Sequence, residues 1–178
     1  MSVANKFIPH YTYDDYVHWE GKWELIDGFP IAMSPAPTPE HQKVASELRY
    51  AFVDSLKKKG CKNCHAYDPI DYMIAKDTIV QPDILIVCEP IKKKYLDFPP
   101  ALVIEILSPS TALKDRNTKF ELYQQQGVKY FLIADIDNKT IETFLLTDAV
   151  YKIQTGPSVT FHLPDDCSIT PDFSTVFD

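Results

Sequence analysis

Apolar runs of strand length alternate with helix-period segments along most of this chain. Two runs, 79–87 (IVQPDILIV) and 101–107 (ALVIEIL), are nearly continuous in Ile, Val and Leu, which is typical of strands covered on both faces. A third run, 128–134, follows a helical segment that ends at Gly127. A strand–helix–strand connection of this kind predicts that this part of the sheet is parallel or mixed.

Two long segments have the periodicity of helices. In Pro39–Lys59 the apolar residues recur at three- and four-residue spacing, lysines occupy the last turn and Gly60 follows. These features predict an amphipathic helix with a glycine end. The second segment, 108–127, offers Ser110 or Thr111 as its N-cap.

Shorter elements complete the pattern. Residues 12–20 predict a short helix in which Thr12 is the N-cap. Residues 23–33 predict a hairpin, because Asp27-Gly28 suits a tight two-residue turn. The three prolines of 34–39 predict a loop. Further strands are expected at 61–74, 140–146, Val150–Gln154 and 159–163.

Length and composition fit a single globular domain. The chain has 178 residues, of which 45% are hydrophobic and 24% charged, so we expect one domain over 1–178. Its predicted class is α/β: a mixed sheet flanked by helices, with additional antiparallel strands in the C-terminal part. The net charge of -7 gives no bulk attraction to nucleic acid, so a nucleic-acid partner would require a local basic patch or a bound cation.

The termini and the cysteines indicate a location. The N-terminal stretch has no apolar core of signal-peptide length, and no run of about 18 apolar residues predicts a membrane span. The four cysteines, at positions 61, 64, 88 and 167, are therefore expected to be reduced thiols in the cytoplasm. Cys61-Lys62-Asn63-Cys64-His65 has haem-attachment spacing, but without an export signal we expect no cofactor there.

Two carboxylates interrupt the most apolar runs. Asp83 lies in the first and Glu105 in the second, and an isolated buried carboxylate is very costly. If the two strands are neighbours, both acids and an adjacent backbone carbonyl, that of Ile106, could hold Mg²⁺ or Mn²⁺. Such a cation would support phosphodiester hydrolysis. The alternative is that Asp83 caps a turn after Pro82 and that Glu105 pairs with a buried lysine or arginine.

Several motifs in the same order resemble the Uma-type restriction endonuclease family of the PD-(D/E)XK nuclease superfamily. The resemblance spans nearly the whole chain and rests on Trp23-Glu24-Leu25-Ile26-Asp27-Gly28, the 34–41 loop and helix start, Gln81-Pro82-Asp83, the stretch around Glu105, Asp115 to Lys119, Tyr123, and Gly127-Val128. It implies a restriction-endonuclease-like fold, Asp83 and Glu105 as ligands of Mg²⁺ or Mn²⁺, and cleavage of DNA. A homodimer would suit the cutting of both strands of a duplex.

The chain departs from the superfamily pattern at one position. A lysine usually stands two residues after the glutamate, where this chain has Leu107. The resemblance implies that Lys119, on the following helix, takes that role and stabilises developing negative charge. The alternative is an ordinary surface pair between Asp115 and Lys119, which are four residues apart.

Four more residues complete the candidate site. The resemblance makes Glu24 a third acid near the metal, although a half-exposed glutamate at a strand end is also ordinary. His41, at the start of the first long helix, could contact a phosphate, and the alternative is a plain surface histidine. Lys114 and Arg116 could belong to a basic rim that binds nucleic acid, or they could lie on a solvated helix face.

Two other functional classes stay open. The protein could have a nuclease fold without catalytic activity and bind nucleic acid or protein. Leu107 and the acidic net charge favour this alternative. It could also be an interaction protein without a metal site, in which the acids form salt bridges.

Overall fold

The computed structural model describes residues 8–33, 37–108, 113–156 and 158–178. Its helices are α1 (Tyr13–Tyr16), α2 (Pro39–Lys59), a π-helix (Lys114–Lys119) and α3 (Phe120–Gln125). Its strands are β1 (Trp23–Ile26), β2 (Phe29–Ala32), β3 (His65–Tyr67), β4 (Tyr72–Ala75), β5 (Thr78–Val80), β6 (Ile84–Val87), β7 (Leu102–Ile106), β8 (Tyr130–Asp135), β9 (Thr140–Thr147), β10 (Val150–Gln154), β11 (Phe161–His162) and β12 (Ser168–Ile169).

The main sheet has six strands in the order β10-β9-β8-β7-β6-β3. Only β7 and β8 run parallel among these neighbours, and the crossover between them contains the π-helix and α3. The predicted mixed α/β architecture is therefore confirmed, with its parallel part at β7 and β8. A two-stranded sheet of β11 and β12 follows, so 159–163 pairs with the C-terminal tail rather than with β10.

A second sheet of four strands has the order β2-β1-β5-β4. The predicted hairpin is present as β1 and β2, and Asp27 and Gly28 both have positive φ, at 49° and 76°. The prediction of one strand over 79–87 is wrong. That segment supplies β5 to the small sheet and β6 to the main sheet, because Pro82 lacks an N–H and interrupts the ladder.

Two other boundaries also differ from the prediction. The segment 61–74 is not one strand: Pro69 separates β3 from β4, and the two belong to different sheets. Helix α1 ends at Tyr16 rather than at residue 20, although the capping box of Thr12 and Asp15 is present. The apolar content of 61–74 concealed the break because proline ends a ladder without changing the hydrophobic pattern.

The predicted helix 108–127 has two parts within the described residues. The six-residue π-helix comes first and α3 continues to Gln125, with Gly127 at φ 76° after the end. The proposed N-caps, Ser110 and Thr111, lie outside the described residues. π-Helical turns are rare and occur frequently at functional sites, and this one carries Lys114, Asp115 and Lys119.

The main sheet has a packed core on each face. On one face α2 places Leu48 and Phe52 in a cluster with Ile84 and Ile104. The opposite face packs Leu85, Val103 and Phe131 against Tyr123 of α3. Successive strand residues point to opposite faces, which explains why β6, β7 and β8 are apolar along their length. Each such fully buried side chain contributes about 1.5–3 kcal/mol.

The expectation of four reduced cysteines is wrong for this structure. Cys61 is joined to Cys167 and Cys64 to Cys88, with Cα–Cα distances of 5.5 and 3.9 Å. The pairs connect segments that are 106 and 24 residues apart in sequence, a proximity that arises only from the tertiary fold. Persistent disulfides are typical of oxidising compartments, so the cysteines no longer support a cytoplasmic location.

Candidate active site

The two acids singled out in the sequence lie beside each other at one end of β6 and β7. Ile84 pairs with Ile104 in the antiparallel ladder, and one further step in the same register brings Asp83 opposite Glu105. Asp83 immediately precedes β6, and its Oδ2 accepts a hydrogen bond of 2.8 Å from the N–H of Ile106. The structure therefore places the two acids on adjacent strands, with Asp83 bound to the N–H of Ile106 and close enough for its charge to act on Glu105.

Glu105 is buried and has two strong partners. Lys119 Nζ lies 3.0 Å from Oε1, and the Tyr123 hydroxyl donates to the same oxygen at 2.6 Å. Burial raises the pKa of Glu105 well above its ordinary value, Lys119 opposes that shift, and the charges of Asp115, Asp83 and Glu24 add to it. The ammonium of Lys119 is thus the main group that favours ionised Glu105.

Lys119 lies at the centre of a buried group of carboxylates. Its Nζ is 2.8 Å from Glu24 Oε1, 3.0 Å from Glu105 Oε1 and 3.5 Å from Asp115 Oδ1. Burial would lower the pKa of Lys119, but Glu105, Glu24 and Asp115 together raise it above the ordinary value. Lys119 is therefore a fixed ammonium and not a member of a surface pair.

Glu24 is a fully buried residue of β1 in the small sheet, and its carboxylate belongs to this group. Its Oε1 accepts the N–H of Gln81 at 3.0 Å, and Lys114 donates to Oε2. Burial would raise the pKa of Glu24, but Lys119 and Lys114 outweigh it and hold the pKa below its ordinary value. The reading of Glu24 as a half-exposed strand-end residue is wrong.

His41 contacts the other side of the same site. Thr38 caps the first turn of α2 by accepting the N–H of His41, and the imidazole Nε2 lies 3.4 Å from Asp83 Oδ2. Hydrogen bonding to Asp83 raises the pKa of His41, burial opposes it, and a backbone hydrogen bond with Ile106 raises it further. With its side chain 14% exposed, His41 is not a plain surface residue.

The two basic residues expected on the rim are both paired with carboxylates. Lys114 binds Glu24 within the buried group. The Arg116 guanidinium forms a two-bond contact with Glu142, at 2.7 and 3.1 Å, and lies 3.5 Å from Asp135. A nucleic-acid role for either residue stays a prediction.

Sequence reasoning missed two members of the site. It treated Asp115 as half of a surface pair, whereas its side chain is 3% exposed beside Lys119. It named Tyr123 among the motifs of the family resemblance but did not assign its hydroxyl to Glu105. Positions 115, 119 and 123 are four residues apart, so their spacing indicates a shared helix face, but it does not show that this face is buried.

The donors at this site suit a hard divalent cation. Carboxylate and carbonyl oxygens are the ligands that Mg²⁺ prefers, and it commonly takes only one or two carboxylates from the protein and keeps several waters. Asp83, Glu105 and Ile106 offer that set. Within 8–33, 37–108, 113–156 and 158–178, no group of three or more His, Cys, Asp and Glu side chains could hold a metal ion, so any cation here would rely on fewer protein side chains.

The family of the chain follows from its sequence over most of its length. The sequence profile of the Uma2 family, described as "Putative restriction endonuclease", matches residues 13–178. The chain belongs to the Uma2 family. The resemblance predicted from the motifs around Glu24, Asp83, Glu105 and Lys119 is thereby confirmed. Restriction-endonuclease-like proteins generally use divalent cations, in agreement with the oxygen donors of this site.

Two known proteins are similar to this Uma2 chain. An uncharacterized protein of Synechocystis sp. is 31% identical over 122 residues, which are 65% of this chain and 63% of that protein. The match thus spans less than two thirds of the relative's length. The crystal structure of a "putative nuclease belonging to DUF820" from Anabaena variabilis has a TM-score of 0.70 at 18% identity, over 88% of this chain and 91% of that one. The latter likeness establishes a shared fold.

No helix within the described part of the chain is long and apolar enough to cross a membrane.

Proposed function

We propose that this Uma2 chain is a metal-dependent phosphodiester hydrolase that acts on DNA as an endonuclease. The observation that supports this most is the position of Asp83 opposite Glu105, with the backbone of Ile106 beside them and Lys119 bridging Glu105 to Glu24. Acids on adjacent strands and an immobilised ammonium are what phosphodiester hydrolysis requires of a protein, since most of its catalysis is positioning and charge stabilisation.

Each residue has a distinct role in this proposal. Asp83, Glu105 and the Ile106 carbonyl would hold Mg²⁺ or Mn²⁺, which when bound neutralises phosphate charge and lowers the pKa of an attacking water. Lys119 keeps its proton at Nζ and presents a positive charge to the oxyanion. Glu24 contacts the Lys119 ammonium together with Glu105 and so orients it.

The partners and setting are also part of the proposal. His41, Lys114 and Arg116 would contact the nucleic acid, with Lys114 and Arg116 exchanging their protein carboxylates for phosphates. The chain would act as a single domain, form a homodimer that cuts both strands of a duplex, and work in the cytoplasm, where its cysteine pairs would have to withstand reduction.

A second candidate is a nuclease fold that binds nucleic acid or protein without turnover. Leu107, in place of the usual lysine, and the net charge of -7 favour it. The two candidates differ in their metal requirement, because a binder keeps its affinity in the presence of a chelator whereas a hydrolase of this type loses its activity.

The test is nicking of supercoiled plasmid DNA in Mn²⁺. We expect the wild-type protein to convert supercoiled to open-circular DNA, and Asp83→Ala and Glu105→Ala each to abolish this. Asp148→Ala removes an exposed carboxylate in the turn after β9 and serves as the matched control. Undiminished cutting by both site variants would refute the assignment, and retained gel-shift binding in chelator without any cutting would favour the second candidate.

A further inference from the structure

An open groove runs from Asp83 along one side of α2. Its volume is about 470 Å³, and its walls include His41, Ser46, Arg49, Tyr50, Pro69 and Asp83. The α2 residues of the wall recur at three- and four-residue spacing and so share one helix face. From His41 to Arg49 the helix rises about 12 Å at 1.5 Å per residue, so the groove leads away from the two acids rather than covering them.

The far end of the groove carries the guanidinium of Arg49, whose Nε lacks a hydrogen-bond partner among the described residues. This nitrogen is buried, and Asp68 Oδ1 lies 3.2 Å away from it in an ion pair. The side chains are 42% and 73% exposed, and exposed pairs of this kind contribute little to stability. A phosphate could therefore displace Asp68 from Arg49 at small cost, and the planar guanidinium suits a phosphate group.

Tyr50 provides a second feature next to Arg49. It is 65% exposed and lines the groove together with Pro69. Aromatic faces of this kind stack on bases of unpaired nucleic acid strands, whatever the base. The groove thus combines a stacking surface, a cation and a direct connection to Asp83.

The aromatic contact selects the form of nucleic acid. The groove volume of about 470 Å³ is within the range of small-molecule sites. The bases of an intact duplex are stacked on one another, so a base must leave the stack before it can lie on Tyr50. We therefore expect this contact only with an unpaired base.

We propose that this groove binds one unpaired nucleotide of the cut strand, with its base on Tyr50 and a phosphate on Arg49. The inference rests on the proposed function for the position of the cut at Asp83 and Glu105. It adds a substrate preference: single-stranded or locally splayed nucleic acid is favoured over an intact duplex.

The binding test uses fluorescence anisotropy with a fluorescein-labelled single-stranded 20-mer and the blunt duplex of the same sequence, in EDTA so that no cleavage occurs. We expect the wild-type protein to bind the single strand at least tenfold more tightly. Arg49→Ala and Tyr50→Ala should each weaken that binding about tenfold, in line with the loss of one stacked base or one phosphate contact. Asp68→Asn should tighten it, because it releases Arg49.

Two control variants test whether the loss of binding is specific to the groove. Lys57→Ala removes one exposed charge from the same helix outside the groove and should bind as the wild type does. Tyr50→Phe keeps the ring and should recover most of the affinity lost in Tyr50→Ala. Equal affinity for single strand and duplex, or unchanged binding by both Arg49→Ala and Tyr50→Ala, would overturn the proposal.

The same variants also distinguish this inference from the proposed function. If plasmid nicking in Mn²⁺ fails but the anisotropy results hold, the groove is a binding site on a protein without turnover. If nicking succeeds and depends on Asp83 while the anisotropy results fail, the nuclease assignment stands and the groove assignment is wrong.

Discussion

Lys119 Nζ lies 3.0 Å from Glu105 Oε1, and the two side chains are only 3% and 2% exposed. This buried ion pair connects the helical crossover to β7, one of the two middle strands of the main sheet. It also answers an alternative that the sequence left open, because Glu105 does pair with a buried lysine, and that lysine is the one implied for catalysis. Pairing and catalysis are compatible, since a positioned ammonium must itself be held by carboxylates.

Replacing Lys119 with methionine should lower stability strongly. The substitution keeps the length of the side chain but leaves Glu24, Glu105 and Asp115 without their shared cation, and breaking a buried pair from one side costs about 3–5 kcal/mol. Urea denaturation at pH 7 measures the change in the free energy of unfolding. Lys57→Met, on the exposed end of α2, is the control and should stay within about 0.5 kcal/mol of the wild type. A loss below 1 kcal/mol for Lys119→Met would contradict the buried network.

Replacing Glu24 with glutamine should make stability less dependent on pH. The folded protein holds the pKa of Glu24 below its ordinary value of 4.5. At pH values between the lowered pKa and the ordinary one, the folded state therefore binds fewer protons than the unfolded state. The contribution of ionised Glu24 is therefore fully present above about pH 4.5 and is lost as the pH falls through the lower folded-state pKa.

We expect wild type and Glu24→Gln to differ by about 3–5 kcal/mol at pH 7, and the difference to shrink steadily as the pH falls below about 4.5. Urea denaturation curves at several pH values measure this difference. A gap that widens on acidification would show that the carboxylate of Glu24 does not have the lowered pKa described.

Removing the Tyr123 hydroxyl should loosen Glu105. Tyr123→Phe deletes the 2.6 Å hydrogen bond to Oε1 and leaves part of a buried carboxylate unsatisfied, at a cost of about 1–3 kcal/mol. We also expect slower plasmid nicking, since Glu105 would lose one of the groups that orient it. Thermal denaturation and the nicking rate are the measurements. Tyr50→Phe is the stability control, because that ring is 65% exposed; equal stability of both variants would rule out the bond.

Reduction should destabilise the protein through its two disulfides. Cys61–Cys167 and Cys64–Cys88 close segments of very different length, and cross-links of this kind contribute about 2–4 kcal/mol each in the chain-entropy account. Urea denaturation with and without dithiothreitol measures the effect. Titration of thiols in denaturant should detect four only after reduction, and four thiols without reductant would contradict the pairing.

The sequence could locate the two strand-end acids because each interrupts an otherwise apolar run. The charges of Asp83 and Glu105, within apolar runs, required a partner such as a cation or a hydrogen-bond donor. The two acids are adjacent as soon as β6 and β7 are neighbours in the sheet. The resemblance to a family then added Glu24 and Lys119, which no local pattern marks. The family was predictable from the order of its motifs along the chain, and the α/β class was predictable from the periodicity of the apolar residues.

The remaining contacts depend on tertiary structure that local patterns do not contain. Asp115 and Lys119 have the spacing of an exposed helix pair, and only the π-helical turn beneath the sheet buries both. The break at Pro82 moves the chain from one sheet to the other without changing the apolar pattern. Four cysteines allow three pairings and also a reduced state, so spacing alone could not reveal the disulfides.

The central claim, that Asp83 and Glu105 share one divalent cation, is tested most directly by isothermal titration of Mn²⁺. We expect a single binding event for the wild-type protein and for Asp148→Asn, the exposed-carboxylate control, and its loss in Asp83→Asn and in Glu105→Gln. Circular dichroism of each variant confirms that it is folded. Absence of binding to the wild type, or an unchanged isotherm for Asp83→Asn, would contradict the account.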